Sequence, residues 1–121
     1  MQPEAAKWLE DMRQACEHIA AFTAGKTLSD YDGDLLLRSA VERQFEIIGV
    51  AMNRLLRIAP DLADRIAQCR RIIAFRNILA HGYDVVDAAV AWDIAQRDLP
   101  VLLVDVTQLL GEAGPGCPPS L

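Results

Sequence analysis

Within the stretch Phe75-Arg76-Asn77-Ile78-Leu79-Ala80-His81-Gly82-Tyr83-Asp84, an arginine, a carboxamide, an imidazole and a phenol fall inside eight residues. Arginine carries a planar, permanent charge that matches phosphate oxygens. Histidine titrates near neutrality, so it can take or give a proton at a reacting group. Together they can hold a phosphate and move a proton beside it. The chain has two histidines, His18 and His81, and only the second has this polar company.

On a helix, Asn77 and His81 are one turn apart and share a face. Arg76 lies about 140° around from His81 by the 3.6-residue period, though a long guanidinium can lean toward the same end. Tyr83 follows Gly82, so the chain can turn it back over the helix terminus. One imidazole with no second histidine nearby does not build a metal site, and no other cofactor is called for. No serine or cysteine accompanies His81 to make a nucleophilic triad. The set suits metal-free RNA cleavage, in which a ribose 2′-hydroxyl attacks its own phosphate and charge grows on the phosphate oxygens. The plainer alternative is a helix-end histidine bonded to a carbonyl, with Arg76 in a surface ion pair.

Apolar periodicity predicts the elements that position this set. Residues 4 to 24 read as a helix through Trp8, Leu9, Met12, Cys16, Ile19 and Ala20, ended by Gly25. KTLSDYDGD reads as a loop. A long helix is predicted from Leu35 to Arg57, with Leu36, Ala40, Val41, Ile47, Ile48, Ala51, Leu55 and Ile58 as its buried stripe, and Pro60 breaks it. Asp61 is placed to cap the next helix, which runs to His81 through Leu62, Ile66, Cys69, Ile72, Ile73 and Leu79. Gly82 suits the left-handed position just past its end. Asp87 caps a short helix holding Val90, Trp92 and Ile94. Asp98 and Pro100 restart a final helix through Leu99, Leu102, Leu103, Val106, Leu109 and Leu110. The expectation is an all-α, up-down bundle of four to five helices over residues 1–111, with residues 112–121 as a flexible tail.

Composition narrows the setting. At 121 residues and 52% hydrophobic, the chain is sized for one domain with a core. It has no apolar run long enough for a membrane helix. Its start, MQPEAAKWLEDM, is acidic and lacks the apolar stretch of a signal peptide. Cys16, Cys69 and Cys117 are widely spaced, which fits a reducing cytoplasm and structural or incidental roles. Net charge is −5, yet residues 38 to 76 hold eight arginines against four acids, a local +4. The middle is a basic island in an acidic protein, able to meet a polyanion.

Residues 76 to 100, RNILAHGYDVVDAAVAWDIAQRDLP, resemble the signature of HepT-like proteins of the HEPN superfamily. Arg76, Asn77, His81 and Tyr83 match that family's arginine, polar residue, histidine and tyrosine. Trp92, the turn at Asp98-Leu99-Pro100, and Val41-Glu42-Arg43-Gln44-Phe45-Glu46-Ile47-Ile48-Gly49 also resemble it, so the likeness spans roughly residues 5 to 111. Val50 is a departure, since the family often has an acid after Ile-Ile-Gly.

The resemblance implies a bundle of the HEPN type and the ribonuclease toxin of a HepT/MntA toxin–antitoxin pair (type VII-like). Its metal-independent cleavage would leave 2′,3′-cyclic phosphate ends. Arg76 and His81 would be catalytic, with Asn77 in a positioning role on the same face. The site would form where two subunits meet, which implies a homodimer. The partner would be a nucleotidyltransferase antitoxin of the MntA type, forming a larger hetero-oligomer and transferring AMP to Tyr83. Glu42 and Glu46, one helical turn apart, either form a solvated pair or support Arg76 by ion pairing, and Asp84 is a further candidate support. Trp8 and Trp92 are expected to fill core gaps, and His18 to be a surface or packed residue. Two other functions use the same residues: a non-catalytic helical partner that binds nucleotide or substrate for a minimal nucleotidyltransferase, and a helical dimer with no site of its own.

Overall fold

A computed structural model describes residues 1–81 and 87–112, apart from the side chains of Ala80 and His81. The described residues are all-helical, without strands. Helix α1 (Pro3–Thr23) starts on a proline, whose missing N–H costs nothing in a first turn. It buries Ala5, Leu9, Met12, Ala15, Cys16 and Ile19 at three- and four-residue spacing. Gly25, at φ 73°, turns the chain where a side chain would be strained.

The segment expected to be a loop holds a short helix, α2 (Leu28–Asp32). Thr27 and Asp30 make a reciprocal capping box: the Asp30 N–H donates to Thr27 Oγ1 at 3.1 Å, and the Thr27 N–H to Asp30 Oδ2 at 2.9 Å. The same polar residues that signal a loop supplied the cap. Tyr31 from this turn is buried, and its ring meets Trp92 with 5.5 Å between centroids.

Helix α3 (Leu35–Ile58) is capped by Asp34 and buries Leu37, Val41, Phe45, Ile48, Met52 and Leu55. Leu36, expected in the stripe, is 81% exposed, because the register that buries Phe45 and Met52 turns it outward.

The predicted single helix from Asp61 to His81 is two: α4 (Pro60–Ala63) and α5 (Cys69–His81). Asp61 lies in the first turn of α4 and makes no cap. Between the two helices the chain turns so that Ile66 enters the core. The freed Ala67 N–H donates to Asp105 Oδ2 at 3.1 Å, and Arg65 grips both carboxylate oxygens of Glu112 at 2.8 and 2.7 Å.

Asp87 caps α6 (Ala88–Asp93), accepting from the Ala89 N–H, as expected. Asp98 does not restart a helix. Instead α6 runs through a π turn, Ile94–Asp98, directly into α7 (Leu99–Glu112). The Leu99 N–H donates to the Ile94 carbonyl five residues back, which is the wide bond of the π turn, and the next residue, Pro100, has no N–H to give. Asp98 is buried there against the Arg71 guanidinium of α5. Helix α7 buries Leu99, Leu102, Val106 and Leu109. The rest of the tail, Cys117 included, and the expected turn at Gly82 lie outside the described residues.

Helix α1 packs on both α3 and α7, while α5 packs mainly on α3. None of the described helices is long and apolar enough to cross a membrane. The anchors of α5 are Ile72 and Phe75, whose ring stands edge-on to Phe45 at 4.8 Å between centroids. Phe75→Ala is expected to cost about 3–5 kcal/mol by removing this packing. Urea unfolding measures it, and a loss under about 1 kcal/mol would show that α5 is held by something else.

Candidate functional site

Phe75 and Arg76 are adjacent on α5, so seating the first in the core directs the second along the surface of α3. There the stem of Arg76 lies over Gly49. A Cβ built at Gly49 would fall 2.2 Å from Arg76 Cγ and 2.4 Å from Arg76 Cβ. The clash is with the root of the side chain, which cannot swing aside as its tip could. Glycine at this position is what lets α5 bring Arg76 so close to α3.

The Arg76 head opens into a hollow of about 650 Å³ lined by Val50, Asn53, Arg54, Leu56, Arg57 and Arg76. A second hollow, of about 570 Å³, adjoins it through Asn53 and Leu56 and includes Arg70, Asp64, Ile73 and Asn77. Arg76 and Asn77 therefore open onto neighbouring hollows on one side of the molecule. His81 is the last residue of α5, one turn beyond Asn77. Tyr83 and Asp84 lie outside the described residues.

The two glutamates do not reach Arg76. Glu46 sits 3.8 Å from Arg43, one turn away on the exposed side of α3. Glu42 is half-buried, and its carboxyl is pushed up mainly by that burial; Arg38 works against the rise and Glu46 adds to it. Val50 is on the wall of the first hollow, so the unusual apolar residue faces the same space as Arg76.

Sequence reasoning missed Gly49 as a seat, and Asn53, Arg54 and Arg57 as neighbours of Arg76. For Gly49, Asn53 and Arg57 the signal was present, since they lie at four-residue steps along one face of α3; Arg54 is off that series. Trp8 is half-buried against the core, with Lys7 Nζ 4.0 Å and the Arg54 guanidinium 5.9 Å from its ring centre. His18 is exposed, stacked on Phe22 and 3.1 Å from Gln44 Oε1. Cys16 is buried and its thiol is pushed up to about 12 by that burial.

Comparison with known proteins gives one family model, described as ribonuclease HepT-like, matching residues 12–109. A protein named probable ribonuclease HepT, from Thermococcus cleftensis, is 33% identical over 99 residues, which is 78% of this chain and 86% of that one. A protein from Methanocaldococcus jannaschii with a provisional RNase name is 27% identical over 101 residues, 82% of this chain and 90% of its own. Another from the same organism, named a gamma-glutamylcyclotransferase and provisionally an RNase, is 27% identical over 112 residues; this chain spans 93% of itself but 50% of that protein. No solved structure matches.

Gly49→Ala separates helix preference from packing. Alanine in a helix interior gains about 1 kcal/mol over glycine, while the overlap with Arg76 is expected to cost more, for a net loss of about 1–3 kcal/mol. Thermal unfolding decides it: a variant as stable as the parent would mean that the helices separate without penalty.

Proposed function

This chain belongs to the HepT-like ribonuclease family, and from that premise we propose that it is the RNA-cleaving toxin of a toxin–antitoxin pair. The observation that carries the reading is the family match across residues 12–109, which contains the whole of Arg76-Asn77…His81-Gly82-Tyr83. The seating of Arg76 on Gly49, with its head in a hollow that holds no acid among its lining residues, supports it.

In the proposed reaction a ribose 2′-oxygen attacks the adjacent phosphorus. The 2′-O–P bond forms, the bond from phosphorus to the 5′-oxygen breaks, and a 2′,3′-cyclic phosphate remains. One proton must leave the 2′-hydroxyl and one must reach the departing 5′-oxygen; His81 is assigned to proton transfer. Arg76 is assigned to the charge that builds on the phosphate oxygens, where an ionised, bidentate donor acts most strongly. Asn77 positions the substrate from the adjoining hollow. No metal is assigned a part.

Two chains are proposed to form a homodimer that brings two copies of the motif together in the cytoplasm. A nucleotidyltransferase antitoxin would transfer AMP from ATP to the Tyr83 phenol, forming an oxygen–phosphorus bond and releasing pyrophosphate. The added phosphate would place charge and bulk beside Arg76 and His81 and exclude RNA.

Induced expression of the wild type is expected to arrest growth, and His81→Ala and Arg76→Ala to relieve the arrest. Arrest that persists in both variants would remove the catalytic assignment and leave the non-catalytic partner as the reading. Co-expression with a nucleotidyltransferase antitoxin of the MntA type is expected to add the mass of AMP at Tyr83. Intact-mass and peptide spectra without that addition would count against the modification.

A further inference from the structure

Arginines Arg13, Arg43, Arg65, Arg71 and Arg97 each meet a carboxylate. Arg54, Arg57 and Arg76 line one hollow, and none of them meets a carboxylate among the described residues. Arg54 and Arg57 are exposed and one turn apart on α3. Three guanidiniums around a shared space repel one another, and Val50 and Leu56 offer them no counter-charge. A cluster of this kind is suited to a polyanion that supplies the missing charge.

We propose that Arg54 and Arg57 form a subsite for the phosphodiester backbone of single-stranded RNA, flanking the phosphate held by Arg76. The inference rests on the ribonuclease reading and extends it from the cleaved bond to the strand around it. Arg54 is steadied by its approach to the Trp8 ring, 5.9 Å from the guanidinium to the ring centre. Leu56, 39% exposed between the two hollows, gives a base an apolar ledge. Asn53 lines both hollows and gives the strand a neutral hydrogen-bonding partner where it passes between them. The second hollow is less suited to backbone charge, because Asp64 offsets Arg70 there.

The test uses full-length protein in a His81→Ala background, so that RNA is not cut during the measurement. A short fluorescein-labelled single-stranded RNA is titrated by anisotropy over a range of salt. Arg54→Ala with Arg57→Ala is expected to weaken binding about tenfold and to reduce the salt slope by about 1.4, from two phosphate contacts at about 0.7 each. Arg43→Ala with Arg97→Ala removes the same charge from elsewhere on the surface and is expected to leave affinity and slope as they were. Equal losses in the two double variants would overturn the subsite as a net-charge effect, and no loss in the first would overturn it outright. Polyglutamate that competes as well as RNA of equal charge would also overturn it, in favour of an acidic protein ligand. So would a change in particle mass by light scattering in the Arg54/Arg57 variant, which would make the pair a subunit contact. Because binding is read without cleavage, this result stands or falls separately from the growth-arrest test.

Discussion

The contact between α3 and α5 at Gly49 is the constraint on which the site depends. Two side chains set it from opposite directions. Phe75 pulls α5 inward through its edge-on contact with Phe45, and the bare backbone at Gly49 lets the next residue, Arg76, follow without collision. A guanidinium on a flexible stem loses rotamer freedom when it is held for a task. Here the stem is already pinned between two helices before any ligand arrives, so part of that cost is met on folding. The helix that carries the chemistry is thereby placed by core packing, while its charged end stays at the surface.

Charge is distributed unevenly around this contact. On α1, on the outer side of α3 and around the π turn, arginines and acids satisfy one another over short helical spacings, which adds little to stability at an exposed surface. Arg71 is more committed, since it reaches the buried carboxylate of Asp98 and ties α5 to the end of the π turn. Arg54, Arg57 and Arg76 share one hollow and have no such partner among the described residues. A protein of net charge −5 thus keeps a local surplus of positive charge in one place, mainly by leaving acids out of it.

Much of this was legible in the sequence. The helical class, the long α3, the Asp87 cap and the placement of Arg76, Asn77 and His81 on one helix follow from apolar spacing and helix-end chemistry. What was hidden depended on tertiary partners. The break before Cys69 is completed by Asp105, 38 residues away from Ala67, so no local pattern announces it. Leu36 and Leu37 are both apolar, and only the position of neighbouring helices decides which is buried. Thr27 and Asp30 read equally as loop residues or as a cap, because the same side-chain oxygens serve both. At the site, arginine and histidine are conspicuous by type, whereas Gly49 matters for what it lacks. Its role appears only when the facing residue is known.

The π turn has a consequence of a different kind. It inserts, in effect, one extra residue into an otherwise continuous helical path, which rotates everything after it by about 100° relative to an uninterrupted α-helix. Trp92, before it, faces Tyr31 of α2, while Leu102, Val106 and Leu109, after it, face the main core. The segment works as a phase shifter, letting one rod serve two differently oriented neighbours. A one-residue deletion within residues 94–98 would close the wide turn into ordinary α-helix and leave the apolar seam of α7 facing α1. The same deletion inside α7 has no wide turn to absorb it and would rotate the rest of that seam by about 100°.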